Sequence, residues 1–304
     1  MVQQKYIKYL EQKLYLYIGL QSKSYLCRSR KIAFIAEEKS PARIFFAYRR
    51  INAPTWRIKM KDYTALKQGL EKLGVSYNEE QLVQLDKYYE MLIEKNKVMN
   101  LTAITEYEDV VYKHFLDSIA IVKVYPQIKK EKIKLIDMGT GAGFPGIPLK
   151  IMFPQLEIVL MDSLNKRINF LNEVINELGL ENISAIHARA EEAARKEEHR
   201  QAYDLCVSRA VARLNSLAEF CIPFVKKGGY FISYKSGKAK EELEEAEFAV
   251  KKLGGRTEGL EEFLLDDNNE EMIRAFVIIK KCLDTPNIYP RAGGKPLKQP
   301  LKER

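Results

Sequence analysis

Between Asp137 and Gly146 the chain reads DMGTGAGFPG, an acid followed by four glycines at intervals of two or three residues. Glycine accepts positive φ and has no side chain to hold a ligand off, so this density marks a place where something approaches the backbone closely. Two registers fit. Gly141-x-Gly143-x-x-Gly146 satisfies the dinucleotide pattern, which lays a pyrophosphate on a helix N-terminus. Asp137-x-Gly139-x-Gly141-x-Gly143 fits equally well and places a carboxylate two residues before the first glycine. A carboxylate there attracts a cationic head, such as the amino group or sulfonium of S-adenosylmethionine, and suits a pyrophosphate less well. Asp162, 21 residues beyond Gly141, is a second acid able to accept from ribose hydroxyls in either ligand class.

Such residues need strands and helices to position them. Short apolar runs at 133–139, 156–162, 182–188, 203–209 and 228–235 alternate with helical stretches such as 164–180. That alternation predicts an α/β fold, a Rossmann-like, mostly parallel sheet flanked by helices. Residues 270–281 read as a terminal strand. The glycines follow the first strand and open a helix, with Pro145 and Pro148 suited to its first turn. Upstream, Asn78 and Gln81 form a capping box, and Leu82, Leu85, Tyr89, Leu92 and Ile93 fall on one helical face. Thr105 and Glu108 predict a second box. Residues 60–125 thus read as an N-terminal helical cap and 126–304 as the ligand-binding domain.

The net charge of +9 is unevenly spread. Of the 50 Lys and Arg and the 41 Asp and Glu, residues 1–59 hold 13 and 3, leaving 37 and 38 for the rest. Residues 1–59 read as a basic, poorly ordered extension, or as an arm for RNA. Lys8, Glu11 and Lys13 interrupt their apolar residues, so they do not make a secretory signal. No apolar run approaches the roughly 18 residues of a membrane-spanning helix. Cys27, Cys206, Cys221 and Cys282 are scattered and read as reduced thiols of a cytoplasmic protein. His114, His187 and His199 do not cluster with them, so no metal site is expected.

LIDMGTGAGFPGIPLKI resembles motif I of class I S-adenosylmethionine-dependent methyltransferases, and its GFPGIPL continuation is similar to the ribosomal RNA small subunit methyltransferase G (RsmG, or GidB) family. NKVMNLTAIT (96–105), KHFLDSI (113–119), DSLNKR (162–167), ARAEE (188–192), SRAVA (208–212) and YPRAGGKPLKQPL (289–301) resemble further blocks of that family, in order. The likeness covers about residues 60 to 301. SYKSGK (233–238) departs from it, with Ser236 where glycine is expected.

The resemblance implies methylation of guanine N7 in the helix 18 loop of 16S ribosomal RNA. It implies S-adenosylmethionine contacts at Gly139, Phe144, Ala190, Glu191 and Arg209, to which charge and ribose chemistry add Asp137 and Asp162. Arg209 or Arg291 is expected near the guanine or the donor's carboxylate. His114, one helical turn from Asp117, reads as a structural contact between cap and sheet or as an RNA contact. Phosphate attraction is expected from Lys129, Lys130 and Lys132, from Lys166 and Arg167, from Lys235 and Lys238, and from Arg291, Lys295 and Lys298. The expected partner is the small ribosomal subunit or its assembly intermediate, met by a monomer. Two other readings stay open on the residues alone: a nicotinamide-dependent oxidoreductase, and a non-enzymatic ribosome-binding adaptor.

Overall fold

Successive side chains of a strand point to opposite faces, so a strand buried on both sides must be apolar throughout. Leu135 and Ile136 of the first strand and Leu160 and Met161 of the second do this, each pair dividing between two separate buried clusters. The computed structural model describes residues 62–265 and 273–303. The extension expected over residues 1–59 lies outside the described residues.

Seven strands form one sheet: β1 Lys134–Met138, β2 Glu157–Asp162, β3 Ile183–His187, β4 Tyr203–Arg209, β5 Val225–Lys235, β6 Gly255–Leu264 and β7 Ile273–Lys281. Their order is β3-β2-β1-β4-β5-β7-β6. β1 to β5 are parallel, while β7 runs antiparallel between β5 and β6. Chain direction therefore reverses its outward progress between β1 and β4, the switch point at which open α/β sheets bind ligands. Met138 pairs with Met161, Asp162 with His187 and Arg209 with Tyr234, so these strand ends share one rim. β6 was not expected. Arg256, Glu258, Glu261 and Glu262 interrupt its apolar residues, as suits an edge strand that must not pair with another sheet.

The helices are α1 Thr64–Lys72, α2 Glu79–Met99, α4 Gly146–Met152, α5 Asn165–Glu177, α6 Ala190–Ala193, α7 Leu214–Cys221, α8 Ala239–Lys252 and α9 Lys295–Lys298, with α3 a composite run. In α3, Tyr107–Val110 passes without a break into a π-helical turn, Val111–Leu116, and then into Asp117–Ile119. The capping box of α2 is present in both directions between Asn78 and Gln81. Gln81 also donates to the carbonyls of Ile151 and Met152, and Gln84 to Leu178, so α2 closes the open C-terminal ends of α4 and α5. Thr105 does not cap α3; Glu106 holds that position without a side-chain bond. Leu66, Leu70, Leu82, Leu85 and Phe115 share one core with Leu135 and Leu160, so the helical cap and that face of the sheet are packed as one body. No described helix is long and apolar enough to cross a membrane.

After β7 the chain returns across the other face, held by cations. Arg200 donates to the carbonyls of Thr285 and Tyr289, Arg195 to that of Pro290, and Arg291 is bidentate to buried Glu219 of α7. Lys281, 1% exposed, donates to the Ile222 carbonyl and the Thr285 hydroxyl. Burial, with Arg200 nearby, lowers its pKa from 10.5 to about 7. The unfolded chain then binds the extra proton across the interval between those values, so this group makes stability rise with pH from about 7 to about 10. We expect urea midpoints to climb over that range in the wild type and to climb less in Lys281→Met.

Candidate active site

The glycine loop is fastened from below by two acids. Asp137, fully buried at the end of β1, accepts through Oδ2 from the Thr140 hydroxyl at 2.6 Å and the Gly146 amide at 2.9 Å. Its Oδ1 is buried without a partner among the described residues. Burial raises its pKa from 3.8 to about 6, against the lowering effect of those two donors. Asp162, 3% exposed at the end of β2, accepts from the Gly141 amide and from Arg167 through Oδ2, and from the Leu164 amide through Oδ1. Both acids thus shape the loop that any ligand would rest on.

Only one loop glycine looks onto open space. A Cβ on Gly141 (φ 63°) would meet nothing within 4 Å. One on Gly139 would strike Val211, and one on Gly143 (φ 110°) would lie 2.6 Å from Ile147 and 2.9 Å from both Leu171 and the Tyr88 hydroxyl. Gly139 and Gly143 are therefore glycines for packing, and Gly141 for access. On the same rim of strand ends lie Leu164 after β2 and Val211 after β4, each 42% exposed, and Glu191 of α6 after β3, 8% exposed, whose side chain has no hydrogen bond or ion pair to a described residue. Ala190 precedes Glu191 and opens α6. The rim is thus an open glycine flanked by apolar side chains and a carboxylate with bonding capacity to spare. Those features fit a donor that combines a flat apolar ring, hydroxyls and a cationic head.

The third wall comes from the helical cap. Arg209, at the end of β4, donates to Asp117 Oδ2 at 2.6 Å and to the Lys113 carbonyl, and lies 3.3 Å from His114 Nδ1. Its guanidinium is 5.0 Å from the centre of the Phe144 ring, which stacks on the His114 ring at 4.4 Å. His114 Nε2 is 2.9 Å from the Thr102 hydroxyl. Burial and the Arg209 charge lower the His114 pKa from 6.5 to about 3, so the ring is neutral at physiological pH. His114 and Asp117 of the helical cap meet through Arg209 of the sheet, a contact between cap and sheet. Asp117 also accepts from Arg274 at the start of β7.

Several expected contacts take other roles. Lys235 turns inward, donating to the Ala212 carbonyl and Glu242, and Arg167 is spent partly on Asp162. Arg291 makes no hydrogen bond to the glycine loop; its guanidinium holds Glu219 and the Gln299 carbonyl. Lys166, Lys238, Lys295 and Lys298 are exposed. Leu164, Val211, Asp117 and Tyr88 were missed as site residues. For the first two, the only signal was an apolar side chain two residues beyond a strand end.

A seven-stranded sheet in this order, with its penultimate position filled by an antiparallel β7, a glycine loop after β1 and an acid ending β2, defines a class I methyltransferase. A solved S-adenosylmethionine-dependent methyltransferase from Aquifex aeolicus is 19% identical, covering 56% of this chain and 92% of that chain with a TM-score of 0.42. The profile of the GidB family, rRNA small subunit methyltransferase G, matches residues 81–270. A ribosomal RNA small subunit methyltransferase G of Lachnoclostridium phytofermentans is 62% identical over 242 residues, 80% of this chain and 98% of that protein. The protein of that name from Alkaliphilus metalliredigens is 48% identical over 243 residues, and its whole length is covered. This chain belongs to the ribosomal RNA small subunit methyltransferase G family. Membership decides against the oxidoreductase reading that the glycine spacing left open.

The two kinds of glycine separate experimentally. Gly141→Ala forces an L-residue to positive φ at a cost of about 1–2 kcal/mol. Gly143→Ala adds overpacking against Ile147, Leu171 and Tyr88, about 1–3 kcal/mol more. Denaturant midpoints at equal m-value should fall further in Gly143→Ala than in Gly141→Ala.

Proposed function

We propose that this chain moves the methyl group of S-adenosylmethionine to N7 of a guanine in the helix 18 loop of 16S ribosomal RNA. The observation that carries this reading is family membership along essentially the whole length of the relatives. The open cradle at Gly141 supports the choice of donor. Gly139, Gly141 and Phe144 would hold it from the loop, Asp162 and Leu164 from the end of β2, and Ala190 and Glu191 from α6. Asp137 contributes negative charge under the loop, and Arg209 closes the β4 side.

The donor supplies an electrophilic methyl group. Guanine N7 carries an in-plane lone pair and has no proton to lose at neutral pH, so the transfer needs no general base. The work left to the chain is alignment and exclusion of water. His114 suits that division of labour: neutral, stacked on Phe144, and engaged at both ring nitrogens, it braces the wall. O6 beside N7 accepts hydrogen bonds, and arginine or lysine is its usual protein partner. Arg209 is the arginine on the rim, and its guanidinium would reach the guanine edge or the donor's carboxylate.

The substrate is the small ribosomal subunit or an assembly intermediate, met in the cytoplasm by a monomer. Lys130, Lys132, Lys166, Lys238, Lys295 and Lys298 are exposed cations suited to its phosphates. Labelled methyl transfer from S-adenosylmethionine to subunits lacking the modification, followed by nucleoside analysis, should recover label as 7-methylguanosine. Label on any other nucleoside would overturn the assignment. Lys295→Glu with Lys298→Glu should weaken RNA binding and lower the slope of log affinity against log salt by about 1–2, given roughly one unit per phosphate contact. An unchanged slope would place the phosphate contacts elsewhere.

A further inference from the structure

Tyr88 lies in the middle of α2, fully buried, and belongs to none of the walls described above. Its hydroxyl donates to the Ala142 carbonyl at 2.6 Å, a contact between residues 54 apart in the chain. Ala142 stands between Gly141, the residue open to a ligand, and Gly143, whose missing side chain makes room for the Tyr88 hydroxyl. The Tyr88 ring sits 5.3 Å from Phe144 and 5.9 Å from Phe115, so neighbours on both sides fix where the hydroxyl points. Burial pushes its phenol well above 10, which keeps it a donor across the whole working range.

The loop needs such an anchor. Gly139, Gly141 and Gly143 all sit at positive φ, where glycine torsions are soft and lost order must be supplied on binding. Asp137 and Asp162 hold the amides of Gly146 and Gly141, and the Gly143 amide returns to Thr140. The Ala142 carbonyl is held by Tyr88, from outside the sheet. We infer that Tyr88 is a positioning residue for the methyl donor: by fixing the Ala142–Gly143 peptide it holds the loop one residue beyond Gly141 and so limits the conformations open to the cradle, and the helical cap thereby sets donor affinity without touching the donor. This inference rests on the reading of the Gly141 cradle as the S-adenosylmethionine site.

Calorimetric titration of S-adenosylmethionine into the full chain tests it, with melting temperature measured on the same ligand-free samples. Tyr88→Phe keeps the ring and removes only the donor. Tyr89→Phe is the matched control, since Tyr89 donates to the Thr105 carbonyl at 3.0 Å from the same helix without contacting the loop. Tyr88→Phe should weaken binding and raise KM for the donor by about 5- to 150-fold, the range expected when a buried acceptor loses its donor. Tyr89→Phe should bind as the wild type does, whatever its melting temperature. Replacing Tyr88 with p-aminophenylalanine, which restores an N–H donor at the same place, should recover affinity. Binding by Tyr88→Phe within twofold of the wild type overturns the inference alone. A wild type that does not bind S-adenosylmethionine overturns the donor reading and the inference with it.

Discussion

One buried carboxylate joins the parts of this structure. Asp117, 5% exposed, comes from the helical cap and accepts from Arg209 of β4 at 2.6 Å and Arg274 of β7 at 3.0 Å. Removing one partner of a buried ion pair costs about 3–5 kcal/mol, because the charge left behind is neither hydrated nor paired. Here the loss would leave two guanidinium groups facing each other's charge. Such a cluster tolerates little displacement, so it sets the distance between cap and rim. The π-helical turn just before Asp117 serves the same end. It carries His114 and ends immediately before Asp117, the two residues that Arg209 meets, and π turns commonly mark functional positions.

From that anchor the site follows by contact. Arg209 lies over Phe144, Phe144 stacks on His114, and Phe144 belongs to the glycine loop. The loop is thus gripped by acids beneath, by an aromatic and cationic stack at one side, and by the Tyr88 hydroxyl from behind. Of Gly139, Gly141, Gly143 and Gly146, Gly141 alone would place a Cβ in open space.

What could be read in the sequence was what short-range chemistry determines. The capping box at Asn78, the glycine loop after β1, and the five parallel strands each depend on residues a few positions apart, and each was legible. The site's long-range partners were not. Asp117 meets Arg209 across 92 residues and Arg274 across 157, and no periodicity encodes those meetings. Tyr88 and Tyr89 show the limit finely. A helical period cannot separate neighbours at the border of an apolar face, and the structure buries Tyr88 where Tyr89 was expected. β6 escaped because an edge strand is half polar by necessity, and Lys235 misled because an isolated lysine carries no sign of Glu242, seven residues on and folded back against it.

The strand order also bears on how the chain comes off the ribosome that makes it. β7, the last strand synthesised, is not at the margin of the sheet but lies between β5 and β6. A nascent chain that has released everything up to β6 therefore holds β5 with one edge open and lacks the arginine that completes the Asp117 cluster. Domains commonly fold from the N-terminus as they emerge, but this sheet closes only when its final strand slots in from the C-terminal end. The rim would thus mature as a late event of synthesis, after the residues that carry the glycine loop have long been available.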